Sequence, residues 1–248
     1  MRLCVFDLDH TLVNSPLDLA AMALDIRAFI EGHCGPLPAR EDRYRVGELV
    51  AWCADNAAHI SAPVWDIALE HERRAVEAAW LEPGALEALH GARAAGFSTA
   101  LWTNNARDVT AIALERFALT SHLDLVVTRD EMARLKPDAD GWRVITTHFG
   151  PLADAVVVGD SWVDGLAAMD AGVPFVAYRA READLAKWNI EPIARLTDLS
   201  ALPELLRTRM RTAANGSLPG GAGRSSGIDA GGSPLGGAGG SSGRSPLR

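Results

Sequence analysis

Apolar and polar positions fall into two regimes along the chain. Between residues 15 and 80 they repeat at helical spacing. Leu19, Met22, Ala23, Ile26, Phe29 and Ile30 share one face; Val46, Leu49, Val50, Cys53, Ala57 and Ile60 share a second; Val64, Ile67, Ala68, Ala75 and Ala79 share a third. Ser15 as N-cap with Pro16 at the first helical position predicts the start of the first helix, and Gly32, Gly35, Pro36 and Pro38 its end. Ala62 and Pro63 break the second run, and Glu82-Pro83-Gly84 ends the third. From Leu81 onward short apolar runs alternate with helical ones. Strands are predicted at 3–6, 97–102, 123–128, 155–158 and 173–178, with helices through Leu86 and Leu89 and at 106–117, 139–149 and 162–171.

Strands that are apolar without alternation are buried on both faces, and strands separated by helices run parallel with right-handed crossovers. The expected fold is therefore α/β, a Rossmann-like parallel sheet with helices on both faces. Residues 1–14 and 81–212 would form this body and residues 15–80 an all-helical insertion. The stretch 213–248 departs from both regimes. It is rich in Gly, Ser and Pro, repeats SLPGGAGRSSG as SPLGGAGGSSG, and lacks the apolar side chains that would offset its ordering entropy, so a disordered tail is expected.

Composition narrows the partners. The chain has 248 residues, is 48% hydrophobic and carries a formal net charge of -8, while the tail is positive because Arg224, Arg244 and Arg248 outnumber Asp229. An acidic body argues against nucleic acid, whose phosphates demand basic surface, although a small anionic substrate needs only a local basic patch. Cys4, Cys34 and Cys53 lack a CxxC spacing, which fits reduced thiols better than a disulfide framework. Asp7 and Asp9 interrupt the apolar region a signal peptide would need, and no apolar run reaches membrane-span length. The expectation is a soluble cytoplasmic protein, a monomer or homodimer.

Candidate chemistry sits at the strand ends. The run Leu3-Cys4-Val5-Phe6 ends in Asp7 and Asp9, two carboxylates close enough to repel unless a cation or donors offset them. By itself the pair reads equally as a metal or phosphoryl site and as a turn closing an ordinary strand. The strand ending at Trp102 runs into Thr103 and Asn104, potential phosphate donors; Lys136 follows the strand ending at Thr128; and the strand at 155–158 runs into Gly159-Asp160-Ser161, with Asp164 one helical turn on. Ligands of parallel sheets sit beyond the carboxyl ends of the strands, which gathers these groups into one place. Hard carboxylate oxygens around a phosphate favour Mg²⁺. Other titratable groups read as structural. His10 would point away from its neighbouring aspartates, His71 falls on the apolar stripe of its helix, and His33, Cys34, Cys53 and His59 match no metal-ligand spacing. Arg40, Arg43, Tyr44 and Arg45 read as a solvated linker.

Four of these features, the DxDxT box at Asp7, Asp9 and Thr11, the strand-end Thr103-Asn104, Lys136-Pro137 and the GDSxxD run at Asp160 and Asp164, occur in the order that resembles the haloacid dehalogenase superfamily of phosphatases. The helical insertion resembles the small cap of its phosphoglycolate phosphatase and β-phosphoglucomutase branch. Asn14 stands where an Asp is common, and Ala139 where a second proline is common. The resemblance implies that Asp7 is a nucleophile forming an aspartyl phosphate and that Asp9 is the general acid and base. It implies Mg²⁺ held by the Asp7 carboxylate, the Asp9 backbone carbonyl and Asp160, with Asp164 as orienter or further ligand. Thr103, Asn104 and Lys136 would hold the phosphoryl group of a small phosphorylated metabolite, and Thr11 to Ser15 would form the hinge into the cap. A sugar-phosphate mutase uses the same nucleophile. A dehalogenase would lack Asp9, and a binding module without activity would have lost a catalytic group, whereas both aspartates are present here.

Overall fold

The computed structural model describes residues 1–214. Six parallel strands form the main sheet: β1 (Arg2–Phe6), β4 (Ser98–Trp102), β5 (Leu125–Val127), β6 (Asp154–Gly159), β7 (Phe175–Tyr178) and β8 (Ala194–Leu196), in the order β5-β4-β1-β6-β7-β8. Alternate residues of β1 face opposite cores. Leu3 and Val5 pack with Ala100, Trp102, Val157 and Phe175, whereas Cys4 and Phe6 pack with Leu101, Val156, Val158 and Tyr178. The side chains of Leu3, Cys4, Val5 and Phe6 have no exposed surface, which is why the run shows no polar alternation.

Helices α4 (Ala85–Ala94), α5 (Arg107–Arg116) and α9 (Leu202–Ala214) cover the Cys4/Phe6 face, and α6 (Asp140–Phe149), α7 (Trp162–Asp170) and α8 (Glu182–Lys187) the other. From β1 the chain builds outward through β4 and β5 on one side and β6, β7 and β8 on the other. β1 therefore sits at the topological switch point, where a crevice opens at the carboxyl ends. The predicted parallel sheet covered on both faces is present.

Between β2 (Val13–Asn14) and β3 (Trp80–Leu81) lie three α-helices, α1 (Leu19–Cys34), α2 (Val46–Asn56) and α3 (Ser61–Glu77). Their apolar stripes meet in a cluster of their own that includes Met22, Ile26, Ile30, Leu49, Cys53 and Val64. Several local expectations are corrected. The N-cap of α1 is Asp18, whose carboxylate accepts from the backbone N–H groups of Ala20 and Ala21, while Ser15 and Pro16 precede the helix. Pro63 lies in the first turn of α3, where its missing N–H has no helical partner to lose, so it does not break a helix there. The antiparallel pair β2–β3, two residues on each strand, and the three-residue edge strand β8 were not predicted; such short pieces carry no readable period. At the β2–β3 junction Glu82, 1% exposed, accepts hydrogen bonds from Asn14 Nδ2, Tyr178 Oη and Arg179 Nη1. The first two residues of the predicted tail, Ala213 and Ala214, end α9 rather than being disordered, and the rest of the tail lies outside the described residues.

Candidate active site

Asp7 follows the last residue of β1, and its N–H extends the sheet by donating to the Val158 carbonyl at 2.9 Å. The chain then folds back on itself: the Leu8 carbonyl accepts from Leu12 and Val13, both at 2.9 Å, and His10 adopts φ 57° at the exposed bend. The strand does not continue through His10, so its distance from the chemistry comes from this bend rather than from strand alternation. Leu8 is buried between the two aspartates.

The side chain of Lys136 enters the same space from the loop after β5. Its Nζ lies 2.6 Å from Asp7 Oδ1, 2.6 Å from Asp164 Oδ1 and 2.8 Å from the carbonyl oxygen of Trp102, and the side chain is 3% exposed. Burial disfavours the ammonium, but Asp164 and Asp7 outweigh it and raise its pKa above the ordinary lysine value. Asn104 fixes the loop, because its side-chain carbonyl accepts from the Lys136 N–H at 2.9 Å and its amide donates to the Lys136 carbonyl at 3.0 Å. Both ends of the amide thus hold the lysine's backbone, and one of the two Nδ2 protons has this use. Thr103 is buried, and its Oγ1 accepts from the Asn105 N–H at 3.2 Å, which leaves its hydroxyl proton available to donate.

Asp164 lies in the first turn of α7 and closes a capping box with Ser161, accepting from Ser161 Oγ at 2.6 Å while its other oxygen takes Lys136. Gly159 permits this packing, since a Cβ there would lie 2.5 Å from Asp164 Cβ and Cγ. Asp160, at the end of β6, completes a group in which Asp7, Asp160 and Asp164 each offer a carboxylate oxygen within 4.8 Å of the others. Three carboxylates face one ammonium. Burial first, then Asp164, pushes Asp160 up to about 9 and Asp7 up to about 7. A hard divalent cation fits this donor set, because it would supply the charge that protons must otherwise provide.

The Asp9 carboxylate stands apart from that group. Ser15 Oγ donates to one of its oxygens and Asn105 Nδ2 to the other, the latter at 2.5 Å. Both partners were missed from sequence: the N-cap rule claimed Ser15 for the helix, and Asn105 follows directly on Thr103-Asn104 without a motif of its own. In the α1–α3 segment, Arg40, Arg43 and Arg45 are exposed in the loop between α1 and α2, as expected of a solvated linker, and the Arg45 guanidinium also sits 4.7 Å over the ring of Trp162, which in turn stacks on Trp188. Arg40 stacks on Tyr44 at 4.0 Å and pairs with Glu48 at 2.6 Å. His71 is satisfied by Asp25 at 2.8 Å; Cys53 is buried among the α1–α3 apolar side chains, and Cys34 is exposed.

Comparison with known proteins agrees with this arrangement. The family model for haloacid dehalogenase-like hydrolases matches residues 4–178. The chain belongs to this family. A phosphoglycolate phosphatase of Rhodospirillum rubrum is 30% identical over 215 residues, covering 81% of this chain and 86% of its own. Another from Agrobacterium fabrum is 27% identical over 215 residues, covering 82% of this chain and 91% of its own. The crystal structure of a hydrolase from Pseudomonas syringae superposes with a TM-score of 0.62 at 20% identity, covering 83% of this chain and 98% of its own. That likeness concerns the fold. In this hydrolase family member the polar groups converge at the carboxyl ends of β1, β4 and β6, and among the described residues no helix is long and apolar enough to cross a membrane.

Proposed function

We propose that the protein hydrolyses the phosphomonoester of a small metabolite, phosphoglycolate or a close analogue, through an aspartyl phosphate on Asp7. The observation that carries this reading is the Lys136 ammonium set between Asp7 and Asp164 beside Asp160, at the switch point of the sheet. With one oxygen of Asp7 on Lys136, the other attacks phosphorus in line, the ester P–O bond breaks, and Asp9 passes a proton to the leaving oxygen. Asp9 then takes a proton from the water that attacks the aspartyl phosphate, which releases inorganic phosphate and restores Asp7. Lys136 and the Thr103 hydroxyl hold the transferred phosphoryl group, and Ser15 and Asn105 keep the Asp9 carboxyl turned toward it.

Asp7, Asp160, Asp164 and the backbone carbonyl of Asp9 would hold Mg²⁺. When bound, it neutralises charge building on the phosphoryl oxygens. The α1–α3 segment acts as a helical cap, a reading supported by contacts it makes with the α/β body, among them Arg45 on Trp162 and Glu72 on Arg129. The test is release of phosphate from a panel of phosphometabolites with Mg²⁺, including phosphoglycolate and a hexose 1-phosphate. Turnover that vanishes in Asp7→Asn supports the reading; undiminished turnover in that variant overturns it, and isomer in place of free phosphate would favour a mutase.

A further inference from the structure

Glu72 lies on α3 between Ala68 and Ala75, on the buried stripe of the helix, and is 5% exposed. One of its oxygens accepts from the Arg129 guanidinium and the other from the backbone N–H of Ala106 at 3.2 Å. Arg129 is 8% exposed in its side chain, lies 4.7 Å over the ring of Trp65 on the same helix, and donates its own backbone N–H to the carbonyl of Asn105 at 3.1 Å. The peptide joining Asn105 to Ala106 is thus held at both polar atoms, its carbonyl by Arg129 and its N–H by Glu72. Asn105 is the residue whose amide meets Asp9. Asp9, Ser15, Glu72 and Asn105 also line one small cavity together with Val76 and Val109.

We propose that Glu72 is a positioning residue for Asp9: by seating α3 on the Asn105–Ala106 peptide it fixes the Asn105 amide and, through it, the direction in which the Asp9 carboxyl delivers its proton. This rests on the phosphatase reading for the role of Asp9. Removing the Glu72 carboxylate leaves the Ala106 N–H and the Arg129 guanidinium without that partner in a buried place, and the Asn105–Ala106 peptide is then held only at its carbonyl, by the Arg129 backbone N–H, and can tilt about it. The helix itself stays docked, because Arg116 donates to the carbonyls of Val76 and Glu77 at 2.8 and 2.9 Å and Trp65 still packs on Arg129. Displacement of a proton donor by a fraction of its bond length matters most when the leaving oxygen needs that proton.

The experiment compares kcat/KM of Glu72→Ala and Glu72→Gln with wild type on an alkyl phosphomonoester and on p-nitrophenyl phosphate, whose phenolate leaves without protonation. The expected result for Glu72→Ala is a loss of about 10- to 100-fold on the alkyl ester and less than about threefold on the aryl ester. Glu72→Gln keeps an acceptor for Ala106 and should fall between; it carries the comparison if Glu72→Ala does not fold. Equal loss on both substrates, or none on the alkyl ester, overturns the proposal. A crystal structure of the variant gives a readout independent of turnover. Asn105 Nδ2 is expected more than about 3.5 Å from Asp9 Oδ2, and an unmoved contact overturns the proposal. Wild-type protein that hydrolyses neither ester refutes the phosphatase reading instead, and the crystal comparison then decides the positioning claim by itself.

Discussion

Lys136 Nζ stands 2.6 Å from an oxygen of Asp7 and 2.6 Å from an oxygen of Asp164, with all three side chains buried. The ammonium is the cation that lets carboxylates from β1 and α7 occupy one small space. Replacing it with a neutral side chain of similar length leaves uncompensated charge, and breaking a buried pair from one side destabilises by about 3–5 kcal/mol. Lys136→Met is therefore expected to melt well below wild type in the absence of metal, with a larger deficit at about pH 8 than at about pH 5, where Asp7 and Asp160 can take protons. Calorimetry at the two pH values checks this; equal melting temperatures for variant and wild type would show that the triad contributes nothing to the fold.

Metal removal should expose the same imbalance through pH. Asp7 and Asp160 are pushed up to about 7 and about 9 from an ordinary aspartate value of 3.8. Between about pH 4 and pH 9 the folded, metal-free protein therefore binds more protons than the unfolded chain, so these groups make it less stable as pH rises. In EDTA the melting temperature is expected to fall from about pH 5 to about pH 9. Added Mg²⁺ should raise it most at the alkaline end. Asp160→Asn, which removes the cost of keeping that carboxyl protonated in the folded state, should be more stable than wild type in EDTA at about pH 8 by about 1–3 kcal/mol and should lose most of the Mg²⁺ effect. A flat pH profile in EDTA would contradict this reading.

What the sequence made legible follows from what burial does to a pattern. β1, β4, β6 and β7 lie inside the sheet with both faces covered, so they read as largely apolar runs, and the groups that follow β1, β4 and β6, Asp7, Thr103 and Asp160, could be placed together. β2, β3 and β8 are held by backbone pairing over two or three residues, which leaves no side-chain signature. Side-chain direction was harder still. Ser15 satisfied the rule for an N-cap, yet its hydroxyl turns to Asp9 while Asp18 caps α1. The signal for Glu72 was present, because it falls four residues after Ala68 and three before Ala75, and a carboxylate on an apolar stripe requires a buried partner. That partner, Arg129, is 57 residues away, beyond the reach of periodicity.

The approach of Gly159 to Asp164 yields a third prediction. A Cβ at residue 159 would meet Asp164 Cβ and Cγ at 2.5 Å, so Asp164 must move, and with it the oxygens that hold Lys136 and Ser161. Gly159→Ala should fold, with a loss of about 1–3 kcal/mol from overpacking. Its phosphatase turnover should drop by about 10- to 100-fold, since the lysine loses one of its two anchoring carboxylates. Combined with Asp164→Asn, the loss in turnover should be clearly less than the product of the two single effects, because both changes act on one contact. Independent, multiplicative effects would show that Gly159 acts elsewhere.

Asn14 owes its amide to Glu82. Its Nδ2 donates to Glu82 Oε2 at 3.2 Å, while Glu82 Oε1 takes Tyr178 Oη and Arg179 Nη1, both at 2.5 Å. Asn14 belongs to β2 and Glu82 follows β3, so this bond ties the two chain segments that lead into and out of α1–α3, and Tyr178 anchors them to the end of β7. A carboxylate in place of the Asn14 amide would stand against a nearly inaccessible one and remove the donor as well. Asn14→Asp should therefore destabilise the protein by about 1–3 kcal/mol near neutral pH, through repulsion and a lost buried hydrogen bond. Glu82→Gln alone should also destabilise, because Arg179 loses its anion. In the double variant, however, the glutamine amide can donate to the introduced carboxylate and restore one hydrogen bond in the opposite sense. The measurable expectation is a favourable coupling in urea denaturation, the double variant being more stable than the sum of the single losses by about 0.5–3 kcal/mol. Strict additivity would mean that the Asn14–Glu82 bond does not hold the junction, and the choice of Asn at this position would then have no structural cause here.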